Sequence, residues 1–468
     1  MKKIFTLIII TMFTMMINCF ADTDSKTEIK TINIMDFNAV ADGFTDNTAA
    51  IQRAIDFLGE EGGRLYFPEG VYCANNIKLK SNIIIEGEGS KTVLKQLEGL
   101  SGYQTLIGAN QGGAGTLKPE GNNSLTGSIT NISIKNIKLS GTVEKEGFSE
   151  WVHLLALNSV SNVKIDKVVF EGFRGDAIFI GVESTEERHN SNIIISNSVF
   201  DGINKDNRNA ISILDGKDII IKNNHFTRLT REDMPGAIDI EPNENSSIEW
   251  TVLQNINILN NTFKDLGKMA IVYKNPNLQS EMLKGSANTI IVEGNEIDGA
   301  FVGIYLDQEY QTLDDNTPSL NISINNNIIK NCFSPLQALG TRGVEVSNNY
   351  FENCESGLGL GINKKKVLDI TISNNTFSRL GKTADVSGVF INVASRVTIN
   401  DNYFIDCGAS SKSYKEGYAI TFYEGNTDYI TIERNILLSP NDITTKFIYI
   451  SKAHIINTKT NIWRENIL

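Results

Sequence analysis

One phrase returns along this chain and limits what it can fold into: alternating apolar residues, an Asn, and a further apolar residue. It reads ISNSVF at 195–200, IKNNHF at 221–226, ILNNTF at 258–263, VEGNEI at 292–297, INNNII at 324–329, VSNNYF at 346–351, ISNNTF at 372–377, INDNYF at 399–404 and IERNIL at 432–437. Weaker copies stand at IKNIKL (134–139) and IDKVVF (165–170). With Asn224 as reference, the equivalents are Asn261, Asn295, Asn327, Asn349, Asn375, Asn402 and Asn435, spaced by 22 to 37 residues. Each unit also carries a second apolar stretch: AIFI (177–180), AISI (210–213), AIDI (237–240), AIVY (270–273), GIYL (303–306), GVFI (388–391) and AITF (419–422). Period-two alternation broken by Gly and Asn is the pattern of strands. A unit this short cannot bury its own apolar face, so copies must stack. The predicted fold is all-β, a single-stranded parallel β-helix whose coils rise by one strand spacing, about 4.8 Å.

The repeats leave no linker, so the 468 residues read as one solenoid rather than two or three domains. Its 53 Asn and 38 Gly argue against long helices. Asn suits a bend between sheets because it tolerates a left-handed backbone, and stacked amides can bond to one another. The eight reference Asn residues are therefore assigned a structural role. Cys332, Cys354 and Cys407 each follow a reference Asn by five residues. They share that register with Leu229, Leu266 and Leu380, which makes them buried small hydrophobes; a Cys332–Cys354 bond between adjacent coils is the alternative.

Residues 1–21 read as an export leader: Lys2 and Lys3, an apolar run to Ile17, and a small-x-small end at Cys19, Phe20 and Ala21. The run is too short for a span, and the expected location is secreted, periplasmic or at the cell surface; anchoring of a lipoprotein through Cys19 is the alternative. The net charge of −12, from 43 Lys+Arg against 55 Asp+Glu, argues against a nucleic-acid or anionic-membrane binder.

The segments MDFNAVADGFTDNTAAIQRAIDFL (35–58) and GGRLYFPEGVYCANNIKLKSNIIIEGEGSKTVLK (62–95) resemble the start of the pectate lyase-like β-helix superfamily. The resemblance implies a right-handed solenoid over 62–468, preceded at 22–61 by a strand and a helix, N-capped at Thr45 or Asp46, that closes the open end. The phrases GDAIFIG, NRNAISI and GAIDIEPN resemble stretches of secreted bacterial β-helix proteins related to glycosidases. The polygalacturonase phrases GHG and RIK are absent, as are YGFDPH of alginate epimerases and WIDH of pectate lyases, and the one Asp-Asp pair (Asp314 and Asp315) lies in an insertion.

Function must then be sought on outward side chains. Aligning the second stretches gives one outward column of Phe179, Ser212, Asp239, Val272 and Tyr305, and another of Gly181, Leu214, Glu241, Lys274 and Asp307. Asp239 and Glu241 should lie about 6–7 Å apart along one strand, with Glu241 and Asp307 on the order of 10 Å apart around the Lys274 ammonium. Paired carboxyls in that arrangement suit glycoside hydrolysis, one as acid and one as base. Asp239, Glu241 and Asp307 are the catalytic candidates of a glycosidase acting on a polysaccharide or oligosaccharide, a scheme needing no cofactor or metal. Lys274, Arg208, Asp176 and Tyr305 are candidates for holding substrate, and Trp250, Tyr273 and Tyr310 for stacking on sugar rings. Long insertions at 228–235, 242–250, 275–287 and 308–319 would wall the groove. Two alternatives remain open. One is a Ca²⁺-assisted lyase acting by β-elimination on a uronate polymer, with Asn209, Asp239 and Glu241 on calcium and Lys274 as base; the other is a non-catalytic glycan-binding solenoid. The four histidines fall at unrelated register positions and read as structural or exposed.

Overall fold

The computed structural model describes residues 29–464 apart from 111–127, 183–187, 243–251, 275–288, 309–312, 318, 383–386, 409–416, 442–443, 453 and 457–461. The leader at 1–21 lies outside the described residues. Within them the chain is a parallel β-helix. Twenty-seven described strands form one continuous sheet that folds over two faces, and thirteen form the third face. All pairings are parallel and join each coil to the next; Gly216–Lys222, for example, pairs with Leu253–Leu259. The thirteen strands are β1 (Ile77–Lys78), β2 (Gln104–Ala109), β3 (Val152–Asn158), β4 (Ile178–Gly181), β5 (Ile211–Ile213), β6 (Ile238–Ile240), β7 (Met269–Lys274), β8 (Val302–Asp307), β9 (Ser334–Leu339), β10 (Leu358–Leu360), β11 (Ser387–Ile391), β12 (Gly417–Phe422) and β13 (Thr444–Ile450).

Inward side chains stack coil upon coil. Phe170, Phe200, Phe226 and Phe263 lie ring on ring with centroids 4.6–4.8 Å apart. Helix α1 (Thr48–Leu58) buries Ala50, Ile51, Ala54, Ile55 and Leu58 on the same core and closes its N-terminal end. Its N-cap is Asn47, not Thr45 or Asp46, but the Asn47 amide is engaged with the Val40 backbone and makes no capping bond; Asp46 accepts the Thr48 N–H at 2.8 Å.

The Asn column forms as the register requires, with one correction. Each reference Asn donates its backbone N–H and its Nδ2 to the Oδ1 of the next, at 2.9–3.1 Å from Asn224 to Asn435. The left-handed backbone belongs to the residue just before it: Asn223, Asn260, Gly294, Asn326, Asn348, Asn374, Asp401 and Arg434. Two jobs expected of one residue are thus divided between neighbours. Cys332, Cys354 and Cys407 are buried with free thiols, and Cys332 and Cys354 donate to the carbonyls of Lys330 and Glu352.

Candidate active site

The third face brings the first predicted column into register: Phe179, Ser212, Asp239, Val272 and Tyr305 pair in succession from β4 to β8. Lys274 pairs with Asp307 in the second. Glu241 stands just past β6, where its N–H donates to the Ile213 carbonyl at 3.1 Å and its carboxylate accepts from Lys274 Nζ at 3.2 Å. The ladder Glu241–Lys274–Asp307 is therefore present in that order. Asp307 gains a second lysine that the sequence pattern does not reveal. Lys365 reaches back two coils from the turn after β10 and places Nζ 2.6 Å from Asp307 Oδ2, which also accepts from the Tyr305 hydroxyl at 3.3 Å.

Asp239 is the centre of the cluster. It is 2 % exposed, its Oδ2 accepts from Asn209 Nδ2 at 3.0 Å, and its Oδ1 has no partner among the described residues. Burial, and then the neighbouring Glu241 charge, push its carboxyl up to about 8; Arg208 opposes them without prevailing. Glu241 and Lys274 are the more open pair, with side chains 28 % and 40 % exposed.

Arg208 and Asp176, expected to face substrate, are instead turned on each other. Asp176 is wholly buried, and both its oxygens accept from Arg208 Nη1 at 2.8 and 2.9 Å. The same nitrogen reaches Ser212 Oγ at 3.3 Å. Burial disfavours the guanidinium charge, but the Asp176 carboxylate outweighs it, and the net shift of Arg208 is upward. The pair lies under Asp239, with the Asp176 side chain wholly buried and that of Arg208 18 % exposed. Tyr273 is also corrected: it pairs with Ile240, points inward and is 2 % exposed, as the period of two requires. Trp250 and Tyr310 lie outside the described residues, as do most of the insertions. Those at 243–251, 275–288 and 309–312 come in the sequence after β6, β7 and β8 in turn. The described part of the last insertion is pinned beside the adjoining sheet, where Arg342 Nη1 donates to the carbonyls of Asp314, Asp315 and Thr317.

His153 lies under the site, 23 residues before Asp176 and on a coil without the Asn phrase, so no register marked it. Its Nδ1 accepts the Asp176 N–H at 3.0 Å, and burial holds its pKa down at about 4, which keeps it neutral. Its ring stacks on Phe179 at 4.8 Å and 16°, and Tyr103 stands edge-on to both at 5.6 and 6.2 Å. Burial raises the Tyr103 phenol to about 12. The other described histidine side chains are structural or exposed, as expected: His189 is buried 2.7 Å from Asp215, and His225 is exposed beside Thr262.

The calcium set of the lyase scheme does not fit these positions. Asn209 turns its nitrogen, not its oxygen, toward Asp239, and its Oδ1 accepts the Gly236 N–H at 3.3 Å. A cation between Asn209, Asp239 and Glu241 would need oxygen from all three.

Residues 31–232 match the family described as "Rhamnogalacturonase A/epimerase, pectate lyase-like", and residues 282–462 match "Right handed beta helix region". The first match is pectate lyase-like and spans the N-terminal half of the described coils, and the second is a right-handed β-helix region, in keeping with the observed fold. The chain is 24 % identical over 423 residues to Plasmin and fibronectin-binding protein A of Streptococcus pneumoniae, covering 87 % of this chain and 50 % of that one. It is 40 % identical over 77 residues to Mannuronan C5-epimerase AlgE3 of Azotobacter vinelandii, 14 % of this chain and 4 % of the epimerase. The chain thus spans half of one curated relative and a small part of the other. Among solved structures, the A-module of Azotobacter vinelandii Mannuronan C-5 epimerase AlgE4 superposes with a TM-score of 0.55 at 16 % identity, over 92 % of this chain and 100 % of that one. The pneumococcal adhesin PfbA gives 0.56 at 18 %, over 90 % and 93 %, and Family 28 Exopolygalacturonase of Yersinia enterocolitica gives 0.52 at 15 %, over 92 % and 78 %. At such identities these superpositions establish the shared fold. The triplet Asn-Thr-Asp of polygalacturonases, expected from the sequence to be absent along with GHG and RIK, is present as Asn426, Thr427 and Asp428, in a strand of the 27-stranded sheet away from the face that carries Asp239.

Proposed function

We propose that this protein is an exported, carbohydrate-active enzyme that hydrolyses glycosidic bonds of a polysaccharide or oligosaccharide. The observation that carries the reading is Asp239, a buried carboxyl pushed up to about 8 beside Glu241 and Asp307, each held by its own lysine. Carboxyls driven apart in pKa are what an acid–base pair requires. Asp239 gives its proton to the glycosidic oxygen as the C–O bond breaks. Glu241, the more exposed carboxylate, takes a proton from the water whose oxygen attacks the anomeric carbon. Two residues apart at the end of β6, the pair spans about 6–7 Å if the chain stays extended, the lower end of the spacing of roughly 6.5–9.5 Å used by inverting glycosidases. Asp307, fixed by Lys365 and Tyr305, holds a sugar hydroxyl or the developing positive charge. The relatives named for pectic and mannuronan chemistry suggest the first substrates to try, and residues 1–21 supply the export leader.

The test is a panel of rhamnogalacturonan, polygalacturonate and mannuronan, scored for new reducing ends and for ultraviolet absorbance. Wild type should release reducing ends without absorbance, and Asp239→Asn should lower turnover by about 10²–10⁴-fold. Full turnover in Asp239→Asn would remove Asp239 as the acid, and absorbance gained with each cut would mean elimination. A second reading, a non-catalytic surface adhesin, is favoured by the match to the pneumococcal binding protein over most of this chain. It expects no cleavage of any glycan and full binding after Asp239→Asn.

A further inference from the structure

The outward column that carries Asp239 continues below it to the first coils. Asp239 pairs with Ser212, Ser212 with Phe179, Phe179 with Ala156 on β3, Ala156 with Gly108 on β2, and Gly108 with Lys78 on β1. Five strand spacings, about 24 Å, thus separate Asp239 from Lys78. Between Phe179 and Lys78 the column holds only Ala156 and Gly108, so it raises no large side chain from the sheet there. A cavity of about 580 Å³ opens over β1 and β2, lined among others by Lys78, Gly108, Tyr103, Gln104, Asn76 and Asn110. Such a volume falls within the range of roughly 300–1,000 Å³ of small-molecule sites. The space over Gly108 is not taken by a neighbouring ring: the atoms nearest to a Cβ built there are Thr105 Oγ1 at 3.0 Å and the Ala156 carbonyl oxygen at 3.8 Å.

The walls are tied into the fold. Asn76 Oδ1 accepts the Thr105 N–H at 3.2 Å, Gln104 Nε2 donates to the Ser101 carbonyl at 2.8 Å, and Asn110 Nδ2 donates to Ser128 Oγ at 2.7 Å. A ligand therefore meets a cavity whose polar groups are already placed, and little ordering opposes its binding. Lys78 is the one charged residue in the lining. It is exposed and makes no ion pair among the described residues, whereas Lys80 is held by Asp56 at 2.7 Å. In a chain with a net charge of −12, an unpaired ammonium at the end of the Asp239 column calls for an acid from outside, and the amide and phenol walls suit hydroxyls. A sugar that carries a carboxylate or a sulfate supplies both on one ring. We infer that this cavity is a distal subsite for one acidic sugar residue, with its acid group on Lys78 Nζ and its ring against Tyr103 and Gln104. A ligand that fills it and also reaches Asp239 must be a polymer rather than a short oligosaccharide. That second role rests on the hydrolytic reading; the binding of an acidic sugar by the cavity does not.

The experiment is saturation-transfer NMR on the full chain with D-galacturonate, D-galactose 6-sulfate and D-galactose, and with inorganic phosphate as competitor. At least one acidic sugar should bind about tenfold more tightly than D-galactose, the scale of one charge-assisted hydrogen bond, and which of the two binds tells a carboxylate site from a sulfate site. Added salt should narrow the difference. Lys78→Gln should abolish it, and Gly108→Leu, which builds a side chain up into the cavity, should weaken all three sugars. Lys78 is exposed, so its variant decides the matter if the melting curve shows that Gly108→Leu has not folded. D-Galactose bound as tightly as both acidic sugars, a preference that survives Lys78→Gln, or phosphate displacing the sugars at equal concentration, which would mark a bare ion contact, overturns the subsite. Asp239→Asn should bind these probes as wild type does, so loss of hydrolysis with sugar binding intact bears on the acid alone.

Discussion

At Asp239 burial favours the protonated carboxyl first, then the charges of Glu241 and Asp176, while Arg208 and Lys274 oppose them. The outcome fixes two pH dependences. An acid catalyst must hold its proton, so kcat/KM should fall as pH rises through about 8, and that high-pH limb should vanish in Asp239→Asn along with most of the rate. For stability, the folded pKa is raised from an unfolded value of about 3.9. Between those values the folded state keeps a proton that the unfolded state gives up. The contribution is whole below about 3.9 and is lost as pH climbs toward 8. Asp239→Asn removes the charge that would otherwise be buried, and should be more stable than wild type at pH 9, by about 1–3 kcal/mol. Denaturant unfolding across pH 5–9 measures it; a variant with the same slope as wild type would place the titration elsewhere. His153 acts at the opposite end, since a neutral buried imidazole held at about 4 loses stability for the fold as pH falls below its unfolded value. Asp239 was legible in the sequence because alternation in AIDI leaves its outward position to a charge. His153 and Lys365 were not: one lies under the face on a coil without the repeat phrase, and the other is a turn residue whose reach spans 58 positions.

The Asn column shows how far register alone can resolve an element. Spacing identified the eight stacked residues and their inward neighbours, because one strand per face per coil permits no other alignment of the apolar residues. It did not separate the residue that bonds along the stack from the one that bends the chain, since both are Asn in most coils. Only backbone angles divide them: Asn326 is left-handed at φ 55°, and Asn327 carries the amide ladder. Adjacent substitutions should therefore have opposite outcomes. Asn327→Ala strips both bonds that Asn295 donates and the Nδ2 bond to Asn349, sparing only the backbone N–H, and leaves buried donors unpaired, for a loss of about 2–4 kcal/mol. Asn326→Gly relieves a left-handed non-glycine residue and should be neutral or stabilising by up to about 1 kcal/mol. Urea midpoints of the two variants decide the matter, and equal destabilisation would mean that the ladder and the bend are not divided in this way.

Over the whole molecule, a solenoid is stabilised coil by coil, so each coil depends on its neighbours and little on the rest. Among the described residues the first coil has no strand neighbour below it. Helix α1 takes that place, with Ile51 and Ile55 at 1 % and 0 % exposure on the core. Replacing Ile55 by Asp puts a charge where no counter-charge stands, lifts the helix, and bares both an apolar end and a row of unpaired strand groups. Two consequences follow from the one-dimensional design. The variant should self-associate through the uncapped end, visible as concentration-dependent sedimentation. Loss of amide-exchange protection should be confined to the first few coils, while the coils around Asn375 and Asn402 keep wild-type protection and the Asp239 face keeps its ligand binding. Protection lost evenly along the chain would show instead that the coils unfold as one unit, with the helix holding all of them in place.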